Sequence, residues 1–430
     1  MSSTTKLGLQ YFSDNLHYHQ AEADFWINEF KALGVNWLVL DNSDLIAIPE
    51  AFLNQLMEAN ITPILVFNFP HHFQKPPYEF QLLLPYYQKV GIRYMTFFKQ
   101  PNSKNFWADG EWFHGDIVER FIDLFLPYAK LAVSYGIQPI FPPLLVAEDF
   151  WDTAFLQLSL QSLLRRDEGN VLDNLLLSAY AHVSDMSRPL DWGAGGPQRF
   201  PTTRPFFRPP DSQDQKGLYI SDWYQAITQA VLGRSIPIVL FEASQNLNLY
   251  QLSELPQLEE RHLTIIKSLL PISQSPTQSF DEKELIPFSK NVLCFVFSHL
   301  VEQVFSETNY LAWYDLDYQP KSFTEKVKAW YLSRAVENGT INVAGRKLQH
   351  VLLVPPLNEI QLNTELAQIQ PYLLQNQPQI VFNVEEALLA EHVALLGNLD
   401  LFSPQDIARL ENSHCDFEII SHNGTKIVTV

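Results

Sequence analysis

Eight short apolar runs, each followed by a segment with helical periodicity, constrain the fold of this chain more than any other feature. The runs span residues 7–12, 37–40, 63–67, 94–98, 139–146, 175–180, 237–241 and 292–297. Continuous apolar runs are typical of parallel strands that are buried on both faces. Because right-handed crossovers in one sense eventually close a parallel sheet on itself, the eight repeats predict a (β/α)8 TIM barrel of the α/β class.

A smaller pattern follows the last predicted barrel helix, at residues 313–335. Strands are predicted at 349–354, 379–382, 392–396 and 417–420, and helices at 361–374, 384–390 and 404–410. We therefore predict two domains, a barrel over residues 1–337 and a small C-terminal α/β accessory domain over residues 345–430. No motif assigns a role to the second domain.

The charge balance excludes two classes of partner. The chain has 48 acidic and 29 basic side chains and a net charge of -19, which repels nucleic acid and anionic membrane surfaces. A neutral substrate fits this balance better. The N-terminus lacks a signal-peptide pattern, and no run approaches the roughly 20 apolar residues that span a bilayer. We expect a cytoplasmic protein.

The cysteines and histidines give no sign of a metal or a cofactor. Cys294 and Cys415 are too few for a disulfide framework or a zinc site, so both are predicted to be reduced packing residues. The histidine pairs at positions 17 and 19 and at 71 and 72 lack a cysteine or acidic partner at metal-ligand spacing. No phosphate-binding loop or nucleophile elbow is present either.

Polar residues follow two of the predicted strands where they end. The fourth strand runs into Lys99, Gln100 and Asn102, and the seventh runs into Glu242. Reactive groups of barrel enzymes sit at the C-terminal ends of the strands, so Gln100 and Glu242 are predicted site residues. A glycosidase of the usual kind needs two carboxyl groups, and here one of the two positions holds an amide.

These strand ends resemble those of the clan A glycoside hydrolases, which are retaining (β/α)8 enzymes. The ending Lys99-Gln100-Pro101-Asn102 resembles their Asn-Glu-Pro-Asn motif, and Glu242 is similar in position to their nucleophile. The resemblance covers roughly residues 7–335 and implies a barrel that binds carbohydrate. Segments 189–197 and 379–387 also resemble parts of bacterial proteins of this barrel class.

Three positions depart from the family pattern. The acid/base glutamate falls on Gln100, and the asparagine that contacts the sugar 2-hydroxyl falls on Lys99. The strand-eight tryptophan is replaced in the sequence Phe297-Ser298-His299. The resemblance therefore implies a degenerate site, in which Glu242 and Gln100 occupy the catalytic positions. Without general acid catalysis we expect weak or absent hydrolysis, so the protein is a possible pseudoenzyme.

The remaining candidates are polar or aromatic residues on the same predicted face of the barrel. Indole rings stack on the apolar faces of sugars, while hydroxyl groups need polar partners. The predicted substrate-binding residues are Lys99, Asn102, Trp107, Trp112, His182, Trp192, Ser298 and His299. Loop packing is the alternative for the tryptophans, as it is for Trp151. Lys99 either pairs with Glu242 or is an ordinary solvated lysine.

Two alternatives remain open. In the first, another carboxylate replaces the missing acid while Glu242 attacks, and the candidates on the same face are Asp41, Asp109, Glu111, Glu148 and Asp149. Each of these could instead be a helix cap or a loop charge. In the second, the barrel is a scaffold whose mouth is plugged by the long loop at residues 184–217, and the small domain engages an unknown protein partner.

Overall fold

The computed structural model describes most of the chain and divides it into two compact units, Met1–Tyr331 and Leu332–Val430. The described residues are 5–14, 16–42, 45–72, 76–108, 110–183, 185, 187–244, 255–269, 285–304, 310, 312–337, 348–355, 359–376, 378–388, 390–412, 416–421 and 426–429. Two predicted residues of interest, Asp109 and Cys415, lie outside these ranges.

The first unit alternates strands and helices along the chain. Its strands are β1 (Leu7–Gln10), β2 (Trp37–Asp41), β3 (Thr62–Phe67), β4 (Tyr94–Phe97), β5 (Gln138–Ile140), β6 (Leu177–Tyr180), β7 (Ile238–Phe241) and β8 (Val292–Phe297). Its helices are α1 (Gln20–Leu33), α2 (Glu50–Glu58), α3 (Tyr78–Val90), α4 (Ile117–Ser134), α5 (Asp152–Arg165), α6 (Gly169–Asn174), α7 (Gly196–Arg199), α8 (Ile220–Leu232) and α9 (Leu255–Leu269). A further helix, α10 (Ser322–Glu337), begins in the first unit and continues past its last residue, Tyr331. All eight predicted strands are present.

The eight strands form one parallel sheet in the order β5-β4-β3-β2-β1-β8-β7-β6. The two end strands also meet, since Ile140 bridges Leu176 in parallel and the amide of Phe141 donates to the Leu176 carbonyl at 2.8 Å. The sheet therefore closes on itself, which confirms the predicted (β/α)8 barrel.

Side chains alternate between two packed layers along each strand. Val39 packs inside the barrel with Val239 and Cys294, which come from strands on other sides of it. The neighbours of Val39 along β2, Leu38 and Leu40, belong to the layer between the strands and the surrounding helices. Cys294 is a buried free cysteine, as predicted. The apolar runs look continuous in sequence because both layers are buried.

Gly8 shows why the interior needs a small residue on β1. A Cβ atom at this position would lie 3.1 Å from Trp37 Cβ and 3.3 Å from Val296 Cγ2. Such contacts are tighter than side chains normally tolerate, so a larger residue would displace Trp37 or Val296 inside the barrel.

The fifth strand is shorter than predicted. The apolar run was expected to be a strand from 139 to 146, but β5 ends at Ile140 and the buried residues that follow it are not in a strand. Pro142 and Pro143 explain the difference, because proline has no N–H group to donate to the sheet. The last helix also begins later than predicted, at Ser322 rather than at 313.

The long loop at 184–217 packs on the outer helices. Trp223 Nε1 of α8 donates to the Gly193 carbonyl at 3.0 Å, and the Gly195 amide donates to Asp222 Oδ2 at 2.8 Å. Arg261 Nη2 of α9 donates to the Arg188 carbonyl at 2.8 Å. These contacts anchor the loop through its own polar groups.

The second unit is also α/β, as predicted. Its strands are β9 (Leu348–Leu353), β10 (Gln379–Val381), β11 (Ala390–Leu396), β12 (Asp416–Ile420) and β13 (Lys426–Thr429). Its helices are α11 (Glu359–Gln368), α12 (Gln370–Asn376), α13 (Val384–Ala387) and α14 (Pro404–Asn412). The sheet order is β10-β9-β11-β12-β13, and β13, which the sequence pattern missed, is the one antiparallel strand.

The described residues contain neither a membrane-spanning helix nor a metal-binding cluster. None of their helices combines the length and the apolar character needed to cross a membrane. No group of three or more histidine, cysteine, aspartate or glutamate residues in the described ranges is arranged to hold a metal ion.

Candidate functional site

Left-handed backbone conformations cluster where the barrel strands end. Phe98 and Gln100 after β4, Ala147 after β5, Glu242 after β7 and His299 after β8 have φ values of 68°, 55°, 57°, 50° and 63°. This conformation costs a non-glycine residue about 1 to 2 kcal/mol, and such strain is concentrated at functional sites. The C-terminal face is therefore the first place to look for a binding site.

A cavity of about 230 Å³ opens at this face. It is lined by residues at or near the ends of β1, β2, β3, β4, β6 and β7, and we call it the first cavity. Its polar lining comprises Gln10, Ser13, Asp41, Asn68, Thr96, Lys99, Tyr180 and Glu242. Val39, Val66, Phe98, Pro143 and Phe241 add apolar surface. The predicted residue Glu242 thus faces a space that a small ligand could occupy.

Glu242 has one histidine beside it. Its Oε2 atom lies 3.9 Å from His182 Nδ1, and the glutamate side chain is 38% exposed. Burial lowers the pKa of both His182 and His299, and the charge of Glu242 opposes this shift in each case. Both imidazoles are therefore neutral at pH 7, which leaves Glu242 without a full positive charge from either.

Gln100 is hydrogen-bonded to the barrel wall. Its Nε2 atom donates to the hydroxyl oxygen of Tyr180 at 3.1 Å. Burial raises the pKa of Tyr180, and the nearby charge of Glu242 raises it further, so this phenol stays protonated. The amide and the phenol together separate the first cavity, which Tyr180 lines, from a second one lined by Gln100.

The second cavity has a volume of about 340 Å³ and shares Asn68 and Lys99 with the first. The other lining residues follow β3 and β4. They are Phe69, Pro70, His71, Gln100, Ser103, Asn105 and Phe106. The two predicted catalytic positions therefore line adjoining spaces, with Glu242 in the first and Gln100 in the second.

Lys99 does not neutralise Glu242. Its side chain is exposed and forms no ion pair with any carboxylate in the described ranges, while the group near Glu242 is the neutral imidazole of His182, 3.9 Å away. Of the two alternatives for this lysine, the structure supports the solvated one. Lys99 nevertheless lines both cavities.

The side chain of Asn102 forms its hydrogen bonds with backbone groups of the protein itself. It is fully buried, its Nδ2 donates to the carbonyls of Leu145 and Phe150 at 2.7 and 2.8 Å, and its Oδ1 accepts from the Leu145 amide at 2.9 Å. These bonds hold the connection between β5 and α5. The prediction that Asn102 binds substrate therefore does not fit its position.

The predicted tryptophans pack into loops. Trp107 is 7% exposed and its Nε1 donates to the Pro101 carbonyl at 2.9 Å. Trp192 Nε1 donates to Asp214 Oδ1 at 2.7 Å, and the guanidinium groups of Arg188 and Arg208 lie 4.5 and 5.1 Å from its ring. Trp112 packs against the barrel core. None of them lines either cavity, which favours the packing alternative.

Ser298 and His299 follow β8 and are half-buried, and neither lines the first or the second cavity. His182 contacts the site through Glu242 instead of lining it. Of the eight predicted substrate-binding residues, Lys99 alone lines the described cavities.

Three of the four alternative acids within the described residues lie outside both cavities. Glu111 is held by Arg120 at 2.9 Å and Asp149 is paired with Lys104 at 3.6 Å, while Glu148 is exposed and lines neither cavity. Asp41 differs, because it lines the first cavity with Glu242 and its Oδ2 accepts from Asn68 Nδ2 at 3.4 Å.

Sequence reasoning missed several lining residues, and two different signals could have found them. Tyr180 and Asn68 are polar residues that end or follow apolar runs, as Gln100 and Glu242 do. Gln10 and Thr96 are polar residues inside such runs. Thr96 is 1% exposed and its Oγ1 has no hydrogen-bond partner. A buried hydroxyl group that lacks a partner at the cavity floor is available to form a hydrogen bond with a ligand or with water.

Comparison with known proteins gives no family assignment. No family model and no curated protein matches the sequence. Solved structures superpose on the barrel only loosely. The GH39 enzyme from Xanthomonas axonopodis pv. citri is 12% identical, with a TM-score of 0.43, and the match covers 76% of this chain and 66% of that one.

Two other solved structures also match with low sequence identity and a low TM-score. A monomeric β-xylosidase from Caulobacter crescentus CB15 is 10% identical, with a TM-score of 0.44 and coverage of 76% and 68%. A fructose-bisphosphate aldolase from Plasmodium falciparum is 13% identical, with a TM-score of 0.35 and coverage of 76% and 87%. A barrel fold does not by itself determine chemistry, so function has to be argued from the site.

Proposed function

We propose that this protein binds a small saccharide in the first cavity and has weak or absent hydrolytic activity. The observation that carries the proposal is the lining of that cavity. Two carboxylates, two side-chain amides and a protonated phenol line a space at the strand ends together with apolar side chains. A cytoplasmic location remains part of this prediction.

The chemistry of the lining supports a neutral, hydroxyl-rich ligand. Asp41 and Glu242 accept hydrogen bonds, Tyr180 and Lys99 donate them, and Asn68 can do both. Phe241 and Val66 offer apolar surface to the ring carbons. Ligand pockets for drug-sized molecules hold about 300 to 1,000 Å³, so the first cavity suits a single sugar ring.

Weak hydrolysis is expected because Gln100 cannot supply a proton. Its amide donates a hydrogen bond to Tyr180 and carries no acidic group, so the leaving oxygen would depart unprotonated. Loss of general acid catalysis reduces a rate by about 10²- to 10⁴-fold. The phenol of Tyr180 is a poor substitute, because burial and Glu242 raise its pKa.

A working retaining glycosidase is the second candidate, and Asp41 is the observation that favours it. Asp41 shares the first cavity with Glu242, so the two carboxyl groups that such an enzyme needs are present on one face. The scaffold alternative has less support, because no described residue of the 184–217 loop lines either cavity.

The test combines binding and turnover. Calorimetry with a panel of mono- and disaccharides should detect a ligand for the wild type, and Glu242→Gln should weaken its binding by about 10-fold, the cost of losing a charged acceptor. Glu260→Gln, an exposed carboxylate change on α9, should leave affinity unaltered. Failure of every saccharide to bind would refute the proposal.

Aryl glycosides whose leaving groups need no protonation separate the two candidates. Slow turnover that disappears in Glu242→Ala and extends to unactivated substrates in Gln100→Glu indicates a nucleophile without its acid. Turnover of unactivated substrates by the wild type that is lost in Asp41→Asn indicates a working glycosidase instead.

A further inference from the structure

The two cavities differ in charge. Two carboxylates, Asp41 and Glu242, line the first, whereas no carboxylate is among the described residues that line the second. Lys99 lines both cavities, and the second also presents an imidazole, a hydroxyl group and three side-chain amides. A ligand that reaches from the first cavity into the second therefore passes from an acidic environment to a basic one.

The carboxylates behind the second cavity have cations of their own. Glu111 approaches His71 at 3.6 Å, but it also accepts from Arg120 at 2.9 Å. Asp149 contacts the hydroxyl of Ser103 at 3.4 Å and is paired with Lys104. Neither therefore cancels the positive charge that Lys99 brings to the cavity.

Lys99 is well suited to meet an anionic group. Its ammonium carries three donors, and among the described residues it has no carboxylate partner, although acidic side chains outnumber basic ones by 48 to 29 in this chain. Salt screens distant charges beyond about 8 Å at physiological ionic strength, so the nearest group matters more than the net charge of -19.

The rest of the second cavity fits a second sugar unit. Phe69 and Phe106 supply aromatic surface for an apolar sugar face, and Asn105 and Ser103 supply hydrogen-bonding groups. One formal positive charge matches one carboxylate better than a phosphate, which carries about -1.5 to -2 at pH 7.

We propose that the second cavity binds a carboxylate-bearing sugar unit, a uronic acid, attached to the neutral unit in the first cavity, and that Lys99 is the residue that selects it. This inference rests on the proposed function, since it names the substrate class of the same site. Lys99 would hold the carboxylate while Gln100 and Asn105 contact ring hydroxyl groups.

The probes are two pairs of matched disaccharides. Cellobiose and cellobiouronic acid differ only in oxidation of one unit, whereas xylobiose and xylose linked to glucuronic acid differ by a carboxyl group that replaces a hydrogen on C5 of one unit. Calorimetry should show that the wild type binds an acidic member about 10- to 100-fold more tightly than its neutral partner, the usual worth of a hydrogen bond to a charged group. Raising the salt concentration should weaken binding of the acidic member alone.

Three lysine variants sharpen the test. Lys99→Gln should remove the preference by weakening binding of the acidic member about 10- to 100-fold more than that of the neutral one, whereas Lys99→Arg should retain most of the preference. Lys89→Gln makes the same charge change at a lysine on α3 that is 74% exposed, and it should behave as the wild type. Thermal unfolding of each variant checks that the fold is intact.

The outcomes distinguish the uronic acid inference from the proposed function. Glu242-dependent binding of the neutral members without any gain for the acidic ones overturns this inference and leaves the proposed function in place. An equal loss for both members in Lys99→Gln also overturns it, because the lysine then serves as a general sugar contact. Tighter binding of a sulfated sugar than of the uronate would show that the second cavity does not prefer a carboxylate. Absence of binding by all the probes would refute both the inference and the proposed function.

Discussion

Glu242 and Asn102 both lie just beyond the end of a barrel strand, and the sequence predicts both as site residues, yet the structure uses them differently. Glu242 is 38% exposed beside a cavity, with one histidine 3.9 Å away. Asn102 is fully buried, and all its hydrogen bonds go to the backbone near β5 and α5. A polar residue with bonding capacity left over is available to a ligand, and one whose capacity is filled stabilises the fold.

The same contrast separates the strand ends from the loops. Thr96, at the cavity floor, has a hydroxyl group without a partner, whereas the indole of Trp192 is bound by Asp214 and covered by two guanidinium groups. Substitutions should therefore affect stability at the filled positions and ligand binding at the open ones.

The largest effect on stability is expected for Asn102→Ala. This change leaves the Leu145 amide and the Leu145 and Phe150 carbonyls without their side-chain partner, and should lower the free energy of unfolding by about 2 to 4 kcal/mol. Glu242→Gln should change it by less than about 1 kcal/mol. Urea denaturation measures both. Equal effects for the two variants would break the distinction between filled and open positions.

Trp192→Phe should lower the free energy of unfolding by about 1 to 2 kcal/mol, because the charged acceptor Asp214 loses a donor. Saccharide affinity should stay within twofold of the wild type, since Trp192 does not line either cavity. Trp151→Phe is the matched control, as its buried Nε1 has no hydrogen-bond partner to lose. A marked loss of saccharide affinity in Trp192→Phe would show that Trp192 contributes to ligand binding.

A smaller effect should appear in the pH dependence of stability. Burial lowers the pKa of His182 below its ordinary value of 6.5, so the unfolded state binds the proton more readily. The stability from this histidine is complete above pH 6.5 and is lost as the pH falls toward its lowered folded-state pKa.

The measurement compares the wild type with His182→Gln. Between pH 7 and pH 5 the variant should lose less stability than the wild type, by up to about 1 kcal/mol. His19→Gln, a change at an exposed histidine, should follow the wild-type curve. A steeper loss in His182→Gln would mean that the protonated imidazole is stabilised in the fold by Glu242.

The smallest expected effect is an increase in stability where the preceding changes lower it. Thr96→Val removes a buried hydroxyl group that has no partner, and should leave stability unchanged or raise it by up to about 1 kcal/mol. Thr228→Val removes a buried hydroxyl that donates to the Gln225 carbonyl at 2.9 Å, and should lower stability by about 1 kcal/mol. If Thr96→Val is as destabilising as the control, its hydroxyl is not open to a ligand.

The local pattern of the sequence determined the barrel and the two strand-end positions. Alternating apolar runs and helical segments depend on neighbouring residues alone, so all eight strands were predictable, and Gln100 and Glu242 follow directly from where two of them end. The error at β5 is also local, since Pro142 and Pro143 could have shown where that strand stops.

Only the tertiary structure decided which polar groups remain open. Asn102 is satisfied by Leu145 and Trp192 by Asp214, and each partner is supplied by a distant part of the chain. Periodicity carries no information about such pairs, because they form only when the barrel closes and brings its loops together. The physical reason is that a hydrogen bond depends on separation in space, whereas a sequence records separation along the chain.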